Sequence, residues 1–532
     1  MKILRFLASA LAVALTATAA PAMAASDPAV VRTEAGQVRG TLKADHRLFQ
    51  GIPYAAPPVG ALRWGSPRPA APWTGVREAT RPGPSCPQDQ DFIGDKPSVI
   101  EDCLYLNVTT PRHITGRLPV MVWIHGGGFL GGSGAIYGAQ RLATQGEVIV
   151  VTFNYRLGAL GFLAHPALNG GAARHGSGNF GIEDQQAVLR WVRANAAGFG
   201  GDPNNITIFG ESAGGMSSCA HLTAPSSRGL FDRVIMMSGP CTLRWPWAAG
   251  PAGPQAETWR PKPRAQAQRQ AIEIATAAGC GDPRTAAACL RAKPVPALLK
   301  AVGPHGLAPA YGGGGVLPDD PVRRLKSGQF ARVPVMHGIT RDEHVTFQVG
   351  FDAEAGPLTA KDYPAVLGTF LGLNEKQTAK VIRRYPLSDY RGSTSWAMAG
   401  TLTDWAWACP AAETNDLLSR HVPTYAYEFA DRGAPWFKEA PPQDYPTGAY
   451  HAGELQYLFS GAYAGHALSP EQRQLSDQMI GYWTRFAHSG DPGWAKYRPA
   501  DGQVLALAPG QEGIKNTDLA REHRCDFWKS VG

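Results

Sequence analysis

Short apolar runs rich in β-branched residues recur along the chain, each ended by glycine, proline or a polar cluster. They occupy residues 105–108, 120–124, 148–153, 206–209, 234–237, 335–339 and 424–429, each the length of a buried strand. Shorter strands are expected around Gly36 and over residues 47–50, and residues 185–194 read as a helix. Alternation of strand with helix predicts an α/β architecture: a mostly parallel, twisted central sheet with helices on both faces. Proline, glycine and helical stretches interrupt the pattern over roughly 241–330 and 350–449, which read as cap insertions shaping a cleft. Residues 25–532 are expected to form one domain with these insertions, because such folds run long as single units.

Composition and charge narrow the class. Lys2 and Arg5 precede a small apolar run from Leu7 to Ala20, and Ala22-Met23-Ala24 supplies a small-residue cleavage site. Residues 1–24 therefore read as a signal peptide, and the mature protein is expected to be secreted or periplasmic. No later run approaches the roughly 20 apolar residues of a membrane span. The formal charge is +8, two units of it on Lys2 and Arg5. The basic residues are scattered, without a basic helix or an aromatic-basic ladder, so nucleic acid is not an expected partner. The densest run, residues 259–269, reads as a solvated loop entering a helix. Eight cysteines agree with an oxidising compartment.

The candidate chemistry centres on residues 209–215, FGESAGG, where Ser212 sits in G-x-S-x-G between an apolar strand and a following helix. A Pro203-Asn204 turn is expected just before that strand. Gly210 and Gly214 leave room for a sharp turn that lifts the Ser212 hydroxyl clear, and the Ala213 N–H opens the helix where an oxyanion could form. A glycine-serine loop would carry the same letters, but not between a strand and a helix. A lone serine hydroxyl is a weak nucleophile and requires a base and an oxyanion site. His125-Gly126-Gly127-Gly128-Phe129 follows the apolar run 120–124, and its glycines let the main-chain N–H groups of Gly127 and Gly128 approach a substrate. H-E-x-x-H and paired C-x-x-C spacings do not occur, and this chemistry needs neither metal nor cofactor.

Several long segments, in order, resemble the type-B carboxylesterases, the α/β-hydrolase family that includes cholinesterases and para-nitrobenzyl esterases. They are FQGIPYAAPPVGALRW (49–64), EDCLYLNV (101–108), HGGGF, NYRLGALGFL (154–163), GNFGIEDQQAVLRWV (178–192) and FGGDPNNITIFGESAGG (199–215). The resemblance implies an α/β-hydrolase fold and hydrolysis of small-molecule carboxylic esters through an acyl-enzyme. Its order of nucleophile, acid, base points to Glu343 as the acid, with Asp342 competing, and to His451 in YHAGELQYLF as the base. Glu211 and Ser238 match supporting positions of the family, although packing or turn formation explains either equally well. The family's bridges imply Cys86 with Cys103, Cys280 with Cys289, and Cys409 with Cys525. Cys219 and Cys241 remain as a fourth pair or as buried thiols. Sequons at Asn107 and Asn205 fall in predicted strands and read as chance.

The sequence departs from the family in four places. His344 replaces the glycine after the acid and either faces the cleft, where its charge would attract an anionic acyl group, or turns into the wall. Gly312–Gly315 replaces an Asp-Gly pair and is expected to loosen the cleft wall. Ser460 stands where glycine is usual. Ile93 occupies the position of the tryptophan that stacks on choline in cholinesterases, which argues against choline esters. The basic balance leans toward neutral or anionic esters, with fumonisin-like tricarballylate esters as one expectation. The alternatives are a lipase, thioesterase or polyester hydrolase with the same triad, or a non-catalytic cholinesterase-like binding protein.

Overall fold

The structure, a computed structural model, describes residues 27–89, 96–244, 260–303, 306–438, 441–461 and 466–531. The expected signal peptide and Ile93 lie outside the described residues. Eleven strands form the central sheet. Numbered in chain order they are β1 (Thr41–Leu42), β2 (His46–Pro53), β3 (Tyr105–Pro111), β4 (Leu118–Ile124), β5 (Ile149–Phe153) and β6 (Gly201–Glu211). The remainder are β7 (Arg233–Met237), β8 (Val335–Thr340), β9 (Thr424–Phe429), β10 (Gln503–Leu507) and β11 (Ile514–Asp518). Across the sheet the order is β11-β10-β9-β8-β7-β6-β4-β5-β3-β2-β1. Neighbours from β10 to β5 run parallel, and antiparallel strands flank them at both edges.

Side-chain alternation explains why the sheet is covered twice. Val120, Val122 and Ile124 of β4 join one core with Ile206 and Ile208 of β6, while Met121, Trp123 and Phe209 join the other. Helix α1 (Phe180–Asn195) closes the first core with Ile182, Val188, Leu189 and Val192. On the opposite face α5 (Pro470–Ser489) contributes Leu475, Met479, Ile480 and Trp483. Between them in sequence lie α2 (Ala213–Thr223), α3 (Val345–Ala355) and α4 (Cys409–Ser419). The helices Arg264–Ala277, Ala286–Ala292, Val295–Val302 and Pro321–Lys326 separate β7 from β8. No helix among the described residues is long and apolar enough to cross a membrane.

Two local features differ from expectation. Instead of a turn before the strand, Pro203-Asn204 forms a bulge inside β6: β4 advances from Leu118 to Val120 while β6 advances from Gly201 to Ile206. Asp202 caps this bulge by accepting the Asn204 N–H at 2.9 Å. Gly312–Gly315 wraps a side chain and does not loosen a wall: Arg264 donates to the Gly312 carbonyl at 2.9 Å, and a Cβ on Gly315 would lie 2.5 Å from its guanidinium.

All eight cysteines are paired. Cys86–Cys103, Cys280–Cys289 and Cys409–Cys525 join as the resemblance implied, and Cys219–Cys241 forms the fourth bridge. The C-terminal segment is also held by charge. His523, buried between two carboxylates, contacts Asp404 through Nδ1 and Glu428 through Nε2, each at 2.6 Å. Burial alone would lower its pKa, but Asp404 and Glu428 outweigh that and raise it to about 10. Since this exceeds the ordinary histidine value near 6.5, the contribution to stability is full below about pH 6.5 and is lost as pH rises through about 10. Chemical denaturation should therefore give a wild-type stability that falls between pH 7 and 10, and a smaller fall in His523→Gln. Parallel pH profiles would show that the pair of contacts is not ionic.

Candidate active site

Ser212 stands between β6 and α2 at φ 56° and ψ −120°, a conformation that side-chain-bearing residues rarely adopt. The surroundings hold it there. Its N–H donates to the Met237 carbonyl at 2.9 Å, and its own carbonyl accepts from the Met216 N–H at 2.9 Å. The turn demands glycines for space: a Cβ on Gly214 would sit 1.9 Å from the Ile124 carbonyl oxygen, and one on Gly210 2.6 Å from Gly214. Ala213 takes the first helical position, so its N–H has no partner within the helix. Here the turn leaves a hydroxyl and a main-chain donor side by side.

The glycine loop after β4 crosses directly over this turn. A Cβ on Gly126 would lie 2.7 Å from the Glu211 carboxylate and 3.1 Å from the Ser212 Cβ. Gly127, at φ 97°, accepts from the N–H groups of Leu130 and Gly131, which fixes the loop. Among the described residues, neither the Gly127 N–H nor the Gly128 N–H donates a hydrogen bond, leaving both for a ligand oxygen. His125 stacks on Tyr155 with ring centroids 4.3 Å apart, and the Tyr155 hydroxyl donates to the His125 carbonyl at 2.9 Å.

Glu343 and His451 come together from loops after β8 and before α5. His451 Nδ1 lies 2.5 Å from Glu343 Oε2, while Glu343 Oε1 accepts the Thr340 N–H at 2.9 Å. Asp342, the competing acid, is committed elsewhere: it takes two 2.8 Å hydrogen bonds from Arg432 and one at 2.9 Å from the Ala449 N–H. The other ring nitrogen of His451 is 3.1 Å from Glu211 Oε1, without hydrogen-bond alignment, and Ser212 Oγ makes no hydrogen bond among the described residues. Among the described residues the hydroxyl and the imidazole make no direct hydrogen bond to each other. Ser238, at φ 46°, ties β7 to β8 by donating its N–H to the Gly338 carbonyl at 2.8 Å.

Glu454, three residues after His451, joins the site without a signal of its own in the sequence. It is fully buried, and among the described residues neither its carboxylate oxygens nor those of Glu211 have a hydrogen-bond partner of good geometry. Burial first, and the neighbouring Glu343 second, push the Glu211 carboxyl well above the usual range. Glu454 is pushed the same way by burial, then by Glu211 and Glu343. Three carboxyls surround one imidazole, and two of them are driven toward the neutral form.

His344 turns into the wall. Its ring is fully buried, its main-chain N–H donates to Thr403 Oγ1 at 3.0 Å, and burial, then the neighbouring His451, lower its pKa to about 3. A neutral buried imidazole offers no charge to a substrate.

The fold and this arrangement define a carboxylic ester hydrolase of the serine-hydrolase type. The Carboxylesterase family model matches residues 27–528, and the chain belongs to that family. It is 34% identical to the para-nitrobenzyl esterase of Bacillus subtilis (strain 168), over 94% of this chain and 99% of the relative. It is 33% identical to an acylcarnitine hydrolase of Mus musculus, over 86% of this chain and 83% of the relative. A solved para-nitrobenzyl esterase structure superposes with TM-score 0.75 at 32% identity, covering 95% of this chain and 100% of that one.

Because His344 is buried and neutral, His344→Gly should leave the ratio of kcat/KM for carboxylate-bearing and neutral esters of matched size unchanged at both pH 6 and pH 8. A selective loss on charged esters at pH 6 would mean that the ring reaches the substrate.

Proposed function

We propose that this chain is an exported serine carboxylesterase in which Ser212 is the nucleophile, His451 the general base and acid, and Glu343 the residue that orients His451. The observation that carries the reading is the 2.5 Å contact of His451 Nδ1 with Glu343, next to a serine held in a strained turn under a glycine loop. In acylation Ser212 Oγ attacks the ester carbonyl carbon as its proton passes to His451 Nε2. The carbonyl oxygen takes the negative charge and is received by the N–H groups of Gly127, Gly128 and Ala213. Collapse breaks the bond to the alcohol, which leaves with the proton from His451. Water then repeats the sequence on the acyl-Ser212 ester and releases the acid. Glu211 and Ser238 support the turn from beneath, and the helices around residues 241–330 and 350–449 wall the cleft.

For substrate, we propose esters with neutral or anionic acyl groups, fumonisin-like tricarballylate esters among them, on the basis of the positive balance that remains when the two units on Lys2 and Arg5 are taken from the formal charge of +8. A para-nitrobenzyl ester is the first probe, since a relative carries that name. Four disulfides support folding in an oxidising compartment, in keeping with a leader at residues 1–24.

Ser212→Ala and His451→Ala should each lower kcat/KM by roughly four to six orders of magnitude, and Glu343→Gln by roughly two to four, with melting curves close to wild type. Activity near wild type in either of the first two variants would remove the assignment. A panel of esters varied separately in acyl charge, acyl length and alcohol tests the substrate class. No turnover of any member would favour a binding protein, and a preference for long acyl chains a lipase.

A further inference from the structure

The glycine loop over Ser212 is held from outside by one buried amide. Its tip, residues 127–131, closes at a neck made by Gly126 on one side and Gly132 on the other. Gly132 has φ 108°, and a Cβ there would lie 2.5 Å from His125 Nδ1 and 2.9 Å from the Gly126 carbonyl oxygen. The residue that closes the loop is therefore packed against the two that open it, immediately before the N–H groups of Gly127 and Gly128.

Gln88 grips Gly132 by both of its main-chain groups. Its Oε1 accepts the Gly132 N–H at 2.8 Å, and its Nε2 donates to the Gly132 carbonyl at 3.1 Å and to the Cys86 carbonyl at 3.0 Å. Both amide N–H bonds and the amide oxygen are thus engaged, and the residue is about 1% exposed. One hydrogen bond would let Gly132 pivot, whereas two from a single planar amide set its position and its tilt.

Gln88 is itself anchored. It lies two residues after Cys86 of the Cys86–Cys103 bridge. Its main-chain N–H donates to the Ser98 carbonyl at 2.9 Å and its carbonyl accepts the Ser98 N–H at 2.8 Å, while the Ser98 hydroxyl donates to the Ser85 carbonyl at 2.7 Å. Other braces on the glycine loop act elsewhere: the Gly158 N–H on the Phe129 carbonyl at 2.7 Å, and Asn154 Oδ1 on the Gly134 N–H at 2.8 Å. Among the described residues no second side chain hydrogen-bonds to Gly132.

We propose that Gln88 is a positioning residue for the oxyanion donors: by holding Gly132 it keeps the Gly127 and Gly128 N–H groups aimed at the charged oxygen of the tetrahedral intermediate. This rests on the assignment of Ser212 as nucleophile and of those N–H groups as its oxyanion site. Fixed donors stabilise a developing charge fully only if they need not move when it appears, and a loop free to relax would lose part of that stabilisation to reorganisation. The ester oxygen carries far less charge before attack, so a loosened loop weakens the transition state more than it weakens substrate binding. The segment closed by the first disulfide thereby becomes part of the frame that sets the donors.

The test compares wild type with Gln88→Met, which keeps the length of the side chain and removes all three hydrogen bonds, and with Gln88→Glu, which keeps an acceptor for the Gly132 N–H and lacks the amide donor. Each is assayed with a para-nitrophenyl ester well below its own melting temperature. Loss of the brace should lower kcat about 10- to 100-fold while KM changes less than about threefold. A trifluoromethyl ketone supplies the readout that a merely structural role would not move. Ser212 Oγ adds to its carbonyl carbon, the serine proton passes to His451, and the ketone oxygen becomes an oxyanion on the same N–H groups. Its affinity should weaken by the same factor as kcat/KM, while that of the matched secondary alcohol, which cannot form the adduct, stays within about twofold. Should Gln88→Met fail to fold, Gln88→Glu carries both measurements. Wild-type kcat in a folded variant, or equal weakening of ketone and alcohol, would overturn the proposal and leave Gln88 as a loop anchor. Activity retained in Ser212→Ala would instead remove the underlying assignment, a result separate from the behaviour of Gln88.

Discussion

Main chain pressed against main chain is the constraint on which the site depends. At Ser212 three segments, the end of β4, the turn from β6 into α2, and the chain leaving β7, approach too closely for any Cβ between them. A methyl on Gly214 would run into Ile124, and one on Gly239 would lie 2.7 Å from the backbone of Gly215. Such contacts cannot relax by side-chain rotation, so the left-handed conformation of Ser212 is enforced by the sheet itself. A backbone of this kind costs about 1–3 kcal/mol, a sum readily offset by the two cores that fix the strands.

Electrostatics then solves a problem that the packing creates. Burial brings Glu211, Glu343 and Glu454 around one imidazole, where three full negative charges in a poorly solvated space would repel strongly. Only Glu343 meets the imidazole in a hydrogen bond, and the other two are pushed toward their neutral forms.

How much of this could be read in advance varies by physical cause. Strands written as β-branched runs, such as residues 120–124 and 206–209, appear in the fold where they were expected, because their signal is local. The Ser212 turn and the glycine loop were legible for the same reason: each needs glycines at fixed offsets. Glu343 and His451 came only from the likeness to a family, and what brings them into contact is a long-range arrangement that no spacing encodes. The pairing of Cys219 with Cys241 depends on where the chain runs after β7, which no spacing encodes. Strands β10 and β11, Glu454 and the π-helical turn at Thr403–Ala408 went unassigned. The five residues of β10 are too few for a periodic signal, β11 is a short polar edge strand, and a single buried acid and an extra residue in a helix leave no periodic trace.

The link from His523 to Asp404 carries a consequence for the order in which the protein is made. A ribosome releases the Ser212 turn, the glycine loop and most of the sheet long before it reaches His523 and Cys525. Until those residues arrive, Asp404 has no imidazolium to hold and Cys409 has no partner, so the turn that carries Trp407 lacks its two outer anchors. The reactive serine is thus in hand early, while the wall behind its neighbouring histidine is completed late. The last residues of the chain thus fasten the wall of a cleft whose nucleophile lies more than 300 residues earlier, through one bridge and one ion pair.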